Sequence, residues 1–181
     1  ATRFNEMAGD LAVSQERSER IGRLKRFLAP QVAELVDQSG DASVLDGRCM
    51  EVVVVFGDLR GFTAFSARAQ PETVMSVLSD YYDALDKVVI EHGATLTNFS
   101  GDGMMVLLNA PVACSDPALR AIHMAHEMQL SVQSLLRDRS ALGHRLGFSV
   151  GLAMGPAIVG RIGKEGRLDY TAIGNVVNLA S

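Results

Sequence analysis

Residues 52–55 are four consecutive valines, followed by Phe56, Gly57 and Asp58. Two heavy atoms on each valine Cβ crowd the preceding turn of a helix but suit a pleated strand. The run is apolar at consecutive rather than alternate positions. It therefore predicts a strand over 51–56 that is buried on both faces. After Asp58, Leu59-Arg60-Gly61-Phe62-Thr63 reads as a glycine turn leading toward a helix. A second segment, Thr97-Asn98-Phe99-Ser100-Gly101-Asp102-Gly103-Met104-Met105-Val106, reads as two strands joined by a tight Gly-Asp-Gly turn.

Taken alone, Asp102 is explained as a turn former, and Asp58 as a strand-end residue capping the next turn. If the strands lie side by side, both carboxylates project from one edge, near the free N–H groups of a helix start. Hard divalent cations such as Mg²⁺ take carboxylate oxygens, and phosphates take helix N-terminal N–H groups. The pair points to metal-assisted phosphate chemistry.

From residue 50 onward, strands alternate with helices. Pro71-Glu72 opens a helix carrying Val74, Val77, Leu78, Tyr81, Leu85, Val88 and Val89 on one face and ending near His92-Gly93. Residues 94–99 and 104–109 form the hairpin. Asp116-Pro117 starts a second helix with Leu119, Ile122, Ala125, Met128, Val132 and Leu135 as its stripe. Residues 145–154 and 157–162 read as two strands, with Gly155-Pro156 between them. The expected fold is α+β: a ferredoxin-like antiparallel sheet with helices packed on one face.

Residues 1–47 read as a helical connector and 48–181 as the domain it feeds. Met7, Leu11, Ser14, Ser18, Ile21, Lys25 and Leu28 follow alternating steps of four and three, but half of that stripe is polar. Arg20, Arg23, Lys25 and Arg26 read as a solvated face, and Pro30 interrupts the helix. Such a lead-in suits transmission from an upstream regulatory domain, or plain stabilisation.

The net charge of −4 carries no basic stripe, which argues against a nucleic-acid partner. Cys49 and Cys114 fit a reducing compartment rather than a disulfide framework, with Cys114 a packing residue. No run approaches the roughly 20 apolar residues of a membrane span. A cytoplasmic location is expected, or the cytoplasmic portion of a larger, membrane-associated protein. His123 and His126 lack a third ligand nearby and read as ordinary helix residues, Met104 and Met105 as core. Lys164-Glu165-Gly166-Arg167 reads as an exposed loop tip.

Three blocks now resemble the class III nucleotide cyclases, the adenylate and guanylate cyclase family. They are Phe56-Gly57-Asp58-Leu59-Arg60-Gly61-Phe62-Thr63, then Phe99-Ser100-Gly101-Asp102-Gly103, then Asp169-Tyr170-Thr171-Ala172-Ile173-Gly174-Asn175-Val176-Val177-Asn178-Leu179-Ala180-Ser181. Leu24-Lys25-Arg26-Phe27-Leu28-Ala29-Pro30-Gln31-Val32 is similar to the helical lead-in of many bacterial members. The resemblance implies that Asp58 and Asp102, with the Leu59 carbonyl, hold two divalent cations, Mg²⁺ or Mn²⁺. It implies that Gly61, Phe62 and Thr63 present N–H groups to the phosphates. It also implies a head-to-tail homodimer in which Asn178 of one copy orients the ribose at the metals of the other. The implied product is 3′,5′-cyclic AMP, made from ATP with release of pyrophosphate.

Two departures from the family pattern matter. The adenine-reading lysine of adenylate cyclases falls at Asn98, and its partner position is Thr171. Asparagine offers a donor and an acceptor but no charge. Guanylate cyclases pair a glutamate with cysteine or serine at these places, so ATP is expected ahead of GTP. A guanylate or mixed-purine cyclase, and a weakly active regulatory nucleotide-binding module, stay open. The family's transition-state arginine falls one residue past Ser181, so a C-terminally truncated, poorly active domain is expected. The Gly-Gly-Asp/Glu-Glu-Phe signature of diguanylate cyclases is absent.

Overall fold

A computed structural model describes residues 30–138, 146–164 and 167–181. The expected N-terminal stripe, at residues 7–28, and the loop tip at Glu165 and Gly166 lie outside the described residues. Helix α1 (Pro30–Ser39) and a 3₁₀ turn (Ala42–Leu45) lead into β1 (Arg48–Arg60). Then follow α2 (Phe62–Ser66), α3 (Pro71–Glu91), β2 (Thr95–Ser100), β3 (Gly103–Leu108) and α4 (Pro117–Asp138). The chain continues through β4 (Gly147–Lys164), β5 (Arg167–Ile173) and α5 (Asn175–Ala180).

The strands form one sheet in the order β2-β3-β1-β4-β5, antiparallel at every junction. The valine run is its central strand, paired with β3 from Val53↔Leu108 to Asp58↔Gly103 and with β4 along its whole length. Alternation divides the run between two cores. Val53 and Val55 join the larger cluster with Tyr81 and Leu85 of α3 and Met124 and Met128 of α4. Val52 and Val54 join a smaller cluster with Val32 and Val36 of α1, Tyr170 and Ala172 of β5 and Val176 and Ala180 of α5. The two long helices share one face, as expected, and short α1 and α5 cover the other. Cys114 packs at the edge of the larger cluster, and Met104 and Met105 are buried.

Three local expectations are corrected. Gly155-Pro156 does not separate two strands: β4 runs unbroken through it, with Pro156 opposite Glu51. Pairing to β5 begins only at Ile158, so at Pro156 one edge of β4 has no ladder bond to lose. The strand following that point is β5, inside the segment that the sequence marked only as a motif. Finally, the expected stripe of α4 holds from Ala125 through Met128 and Val132 to Leu135 but fails at its start. Leu119 and Ile122 are exposed, while Ala121, Met124, Ala125, Met128 and Val132 are buried.

Candidate active site

The end of β1 and the β2–β3 turn meet because Asp58 is the cross-strand partner of Gly103. The Leu59 N–H donates to the Asp102 carbonyl at 3.3 Å, which ties the turn to the residue after Asp58. At Gly101 the backbone is left-handed (φ +65°) and, among the described residues, a Cβ would meet nothing within 4 Å. Glycine is needed there for conformation, not for space. A Cβ on Gly103 would lie 3.7 Å from Asp58 Oδ1, so that carboxylate lies over the glycine backbone.

Asp58 is exposed and Asp102 half-buried. Partial burial pushes the Asp58 carboxyl above its ordinary value, and the negative charge of Asp102 pushes it further. Two like charges held this close disfavour joint ionisation. A divalent cation between them removes that conflict, and hard carboxylate and carbonyl oxygens are the donors Mg²⁺ and Mn²⁺ prefer. The donor set therefore fits the metal.

Gly61 takes a left-handed φ of 83° at the start of α2, turning the chain directly after β1. Phe62 is buried, anchoring that turn in the larger cluster, and Thr63 is exposed. Asn98, Met105 and Phe56 form a row across β2, β3 and β1. Asn98 is exposed at the end of that row, and Asp58 lies two residues along β1 from Phe56, on the same face. The row continues to Gly151 of β4, on which the end of α5 is seated. Asn178 is exposed on α5.

Thr171 does not join them. Its neighbours Tyr170 and Ala172 are buried in the smaller cluster, so Thr171 points to the opposite face. There it lies beside Ile158 and Ile173, which are 56% and 55% exposed. His123 and His126 are both exposed on α4.

Sequence reasoning missed Tyr82. Its hydroxyl donates to the Gly101 carbonyl, and its ring lies 4.1 Å from that of Phe99 on β2. Val74, Leu78 and Tyr82, spaced by four on α3, are each half-buried. That row was the available signal for a residue at the core's margin.

The seat of α5 makes one prediction. A Cβ at Gly151 would collide with the Ala180 backbone carbonyl, which cannot swing away as a side chain can. Gly151→Ala is expected to lift α5 and lower stability by about 1–3 kcal/mol, as overpacking does. Urea unfolding reads this. An unchanged midpoint would mean that α5 is not seated there in solution.

Residues 45–181 match the profile described as the adenylate and guanylate cyclase catalytic domain. Adenylate cyclase 1 of Rhizobium meliloti (strain 1021) is 35% identical over 154 residues, which is 82% of this chain and 23% of that protein. Among solved structures, the guanylyl cyclase Cya2 superposes with TM-score 0.70 and 38% identity, covering 74% of this chain and 68% of that one. The adenylyl cyclase CyaB from P. aeruginosa gives TM-score 0.72 and 31% identity, covering 75% and 71%. The chain belongs to the adenylate and guanylate cyclase catalytic domain family. It spans only about a quarter to two-fifths of the length of the first curated relatives. Among the described residues, no helix is long and apolar enough to cross a membrane.

Proposed function

We propose that residues 48–181 form an adenylate cyclase domain that closes ATP to 3′,5′-cyclic AMP at sites shared between two copies. The carrying observation is the convergence of Asp58 and Asp102, tied by the Leu59–Asp102 bond. Asp58, Asp102 and the Leu59 carbonyl would hold the metal. Two divalent cations, if bound there, would supply acidity to the ribose 3′-hydroxyl and neutralise charge on the triphosphate. The 3′-oxygen gives up its proton to solvent and bonds to the α-phosphorus, while the bond from that phosphorus to the bridging oxygen of the β-phosphate breaks and pyrophosphate leaves.

The chain's own groups bind and orient. The N–H groups of Gly61, Phe62 and Thr63 take phosphate oxygens as α2 begins. Asn98 and Thr171 read the base, and Asn178 fixes the ribose. Thr171 faces away from Asp58 of its own chain, which supports a head-to-tail homodimer in which it serves the partner's metals. Leu152, Met154, Ile158, Ile162 and Ile173, all at least 40% exposed on the Thr171 face of β4 and β5, are the apolar strip a second copy would cover. Residues 1–47 would couple this domain to an upstream regulatory domain, so that cyclic AMP output carries a signal.

Guanylate cyclase activity is the second reading, favoured by the 38% identity to Cya2 and by the uncharged Asn98. Cyclic AMP and cyclic GMP formation by the full-length gene product in Mn²⁺ separates the two. More cyclic AMP is expected. Asn98→Lys should raise the ATP/GTP preference by about tenfold, the worth of one charge-assisted hydrogen bond. Predominant cyclic GMP would select the second reading, and an unchanged ratio in Asn98→Lys would remove Asn98 from base reading. Turnover of neither nucleotide would leave a regulatory module.

A further inference from the structure

The turn that carries Asp102 is tied at two successive carbonyls by two different elements. The Leu59 N–H of β1 holds the Asp102 carbonyl, and the Tyr82 hydroxyl of α3 holds the Gly101 carbonyl. Among the described residues, nothing lies within 4 Å of where a Gly101 Cβ would sit, and its left-handed backbone is open to alternatives in a two-glycine turn. Side-chain support comes from a line of aromatic rings. The rings of Phe148, Tyr81, Tyr82 and Phe99 follow one another with centroids 5.9, 5.4 and 4.1 Å apart. This aromatic file runs from β4 through α3 to the strand entering the turn. Tyr81, fully buried in the larger cluster, anchors its middle.

We infer that Tyr82 is a positioning residue: its hydroxyl, held by the aromatic file, sets the Gly101-Asp102-Gly103 turn so that the Asp102 carboxylate is in place before a divalent cation binds. The inference rests on the proposed metal role of Asp102. When a binding-competent conformation is only fractionally populated, apparent affinity falls by that fraction. Losing one hydrogen bond from the turn should therefore weaken metal binding while leaving the loaded site unchanged.

The test is Tyr82→Phe in the full-length protein, which removes the hydroxyl and keeps the ring. Mn²⁺ alone is titrated calorimetrically, and turnover is followed against Mn²⁺ concentration. The midpoint for Mn²⁺ is expected to rise about three- to tenfold, the worth of one such bond. The rate at saturating Mn²⁺ should return to that of the unaltered protein. A fall in thermal midpoint with an unmoved Mn²⁺ midpoint would reduce Tyr82 to a structural role and overturn the inference. Asp102→Ala serves beside it. If that variant loses Mn²⁺ binding while Tyr82→Phe keeps its affinity, only the positioning role fails. If Asp102→Ala still binds Mn²⁺ normally, the metal assignment fails with it.

Discussion

Asp102→Ala is expected to abolish metal-dependent cyclic nucleotide formation, with a loss of about a thousandfold or more, while the chain keeps its fold. Removing even one preorganised electrostatic contact to a reacting centre costs about 10²–10³ in rate, and a metal carboxylate supports more than one such contact. The fold should survive because the turn's ties to β1 and α3 run through backbone carbonyls, not through the Asp102 side chain. Asp58→Ala should be as inactive and, without metal, no less stable. The sign follows from the raised Asp58 carboxyl. A group whose value is higher in the folded chain stabilises fully below its unfolded value and loses that stabilisation as pH rises through the folded one. At neutral pH the charged Asp58 therefore opposes folding, and alanine removes the opposition. Circular dichroism with and without Mn²⁺, beside a turnover assay, checks both halves. Retained turnover in either variant would remove that carboxylate from the metal site.

The second large effect is recovery rather than loss. Asp58→Ala and Asn178→Ala homodimers should each be nearly inactive, since every composite site lacks one contribution. In a mixed dimer, one site inherits both defects and the other inherits none. With random exchange, about a quarter of the unaltered protein's activity should return, as expected for two equivalent composite sites in a two-fold dimer. Co-expression of differently tagged chains and purification of the mixed species tests this free of the homodimers, and the purified mixed dimer should show about half of the unaltered activity. If mixing recovers nothing, the sites are not shared between copies.

Much of the fold and part of the candidate site are legible in the sequence, because they depend on near neighbours in the chain. Four successive valines suit a strand covered on both faces, and β1 is that strand, divided between the two cores. Gly-Asp-Gly between apolar runs is a hairpin turn by its local torsions alone, and Asp58 is where β1, which runs on to Arg60, stops pairing with that hairpin. The stripe on α3 likewise reports its own burial, from Val77 through Val89.

What only the tertiary structure decided depends on who the neighbour is. Gly155-Pro156 carries a local signal to break, but a missing N–H costs a strand nothing where no partner faces it, and the partner is set by β5. Two overlapping stripes exist on α4. Both include Ala125, Met128 and Val132, and packing against α3 and the sheet selected Ala121 and Met124 over Leu119 and Ile122. The face of Thr171 follows from which side of β5 the smaller cluster occupies, and Tyr82 meets Gly101 only because α3 lies along the hairpin. Backbone preference is written in a few adjacent residues. Burial and partnership are sums over contacts between residues far apart in the chain, and these exist only once the sheet has closed around its central strand.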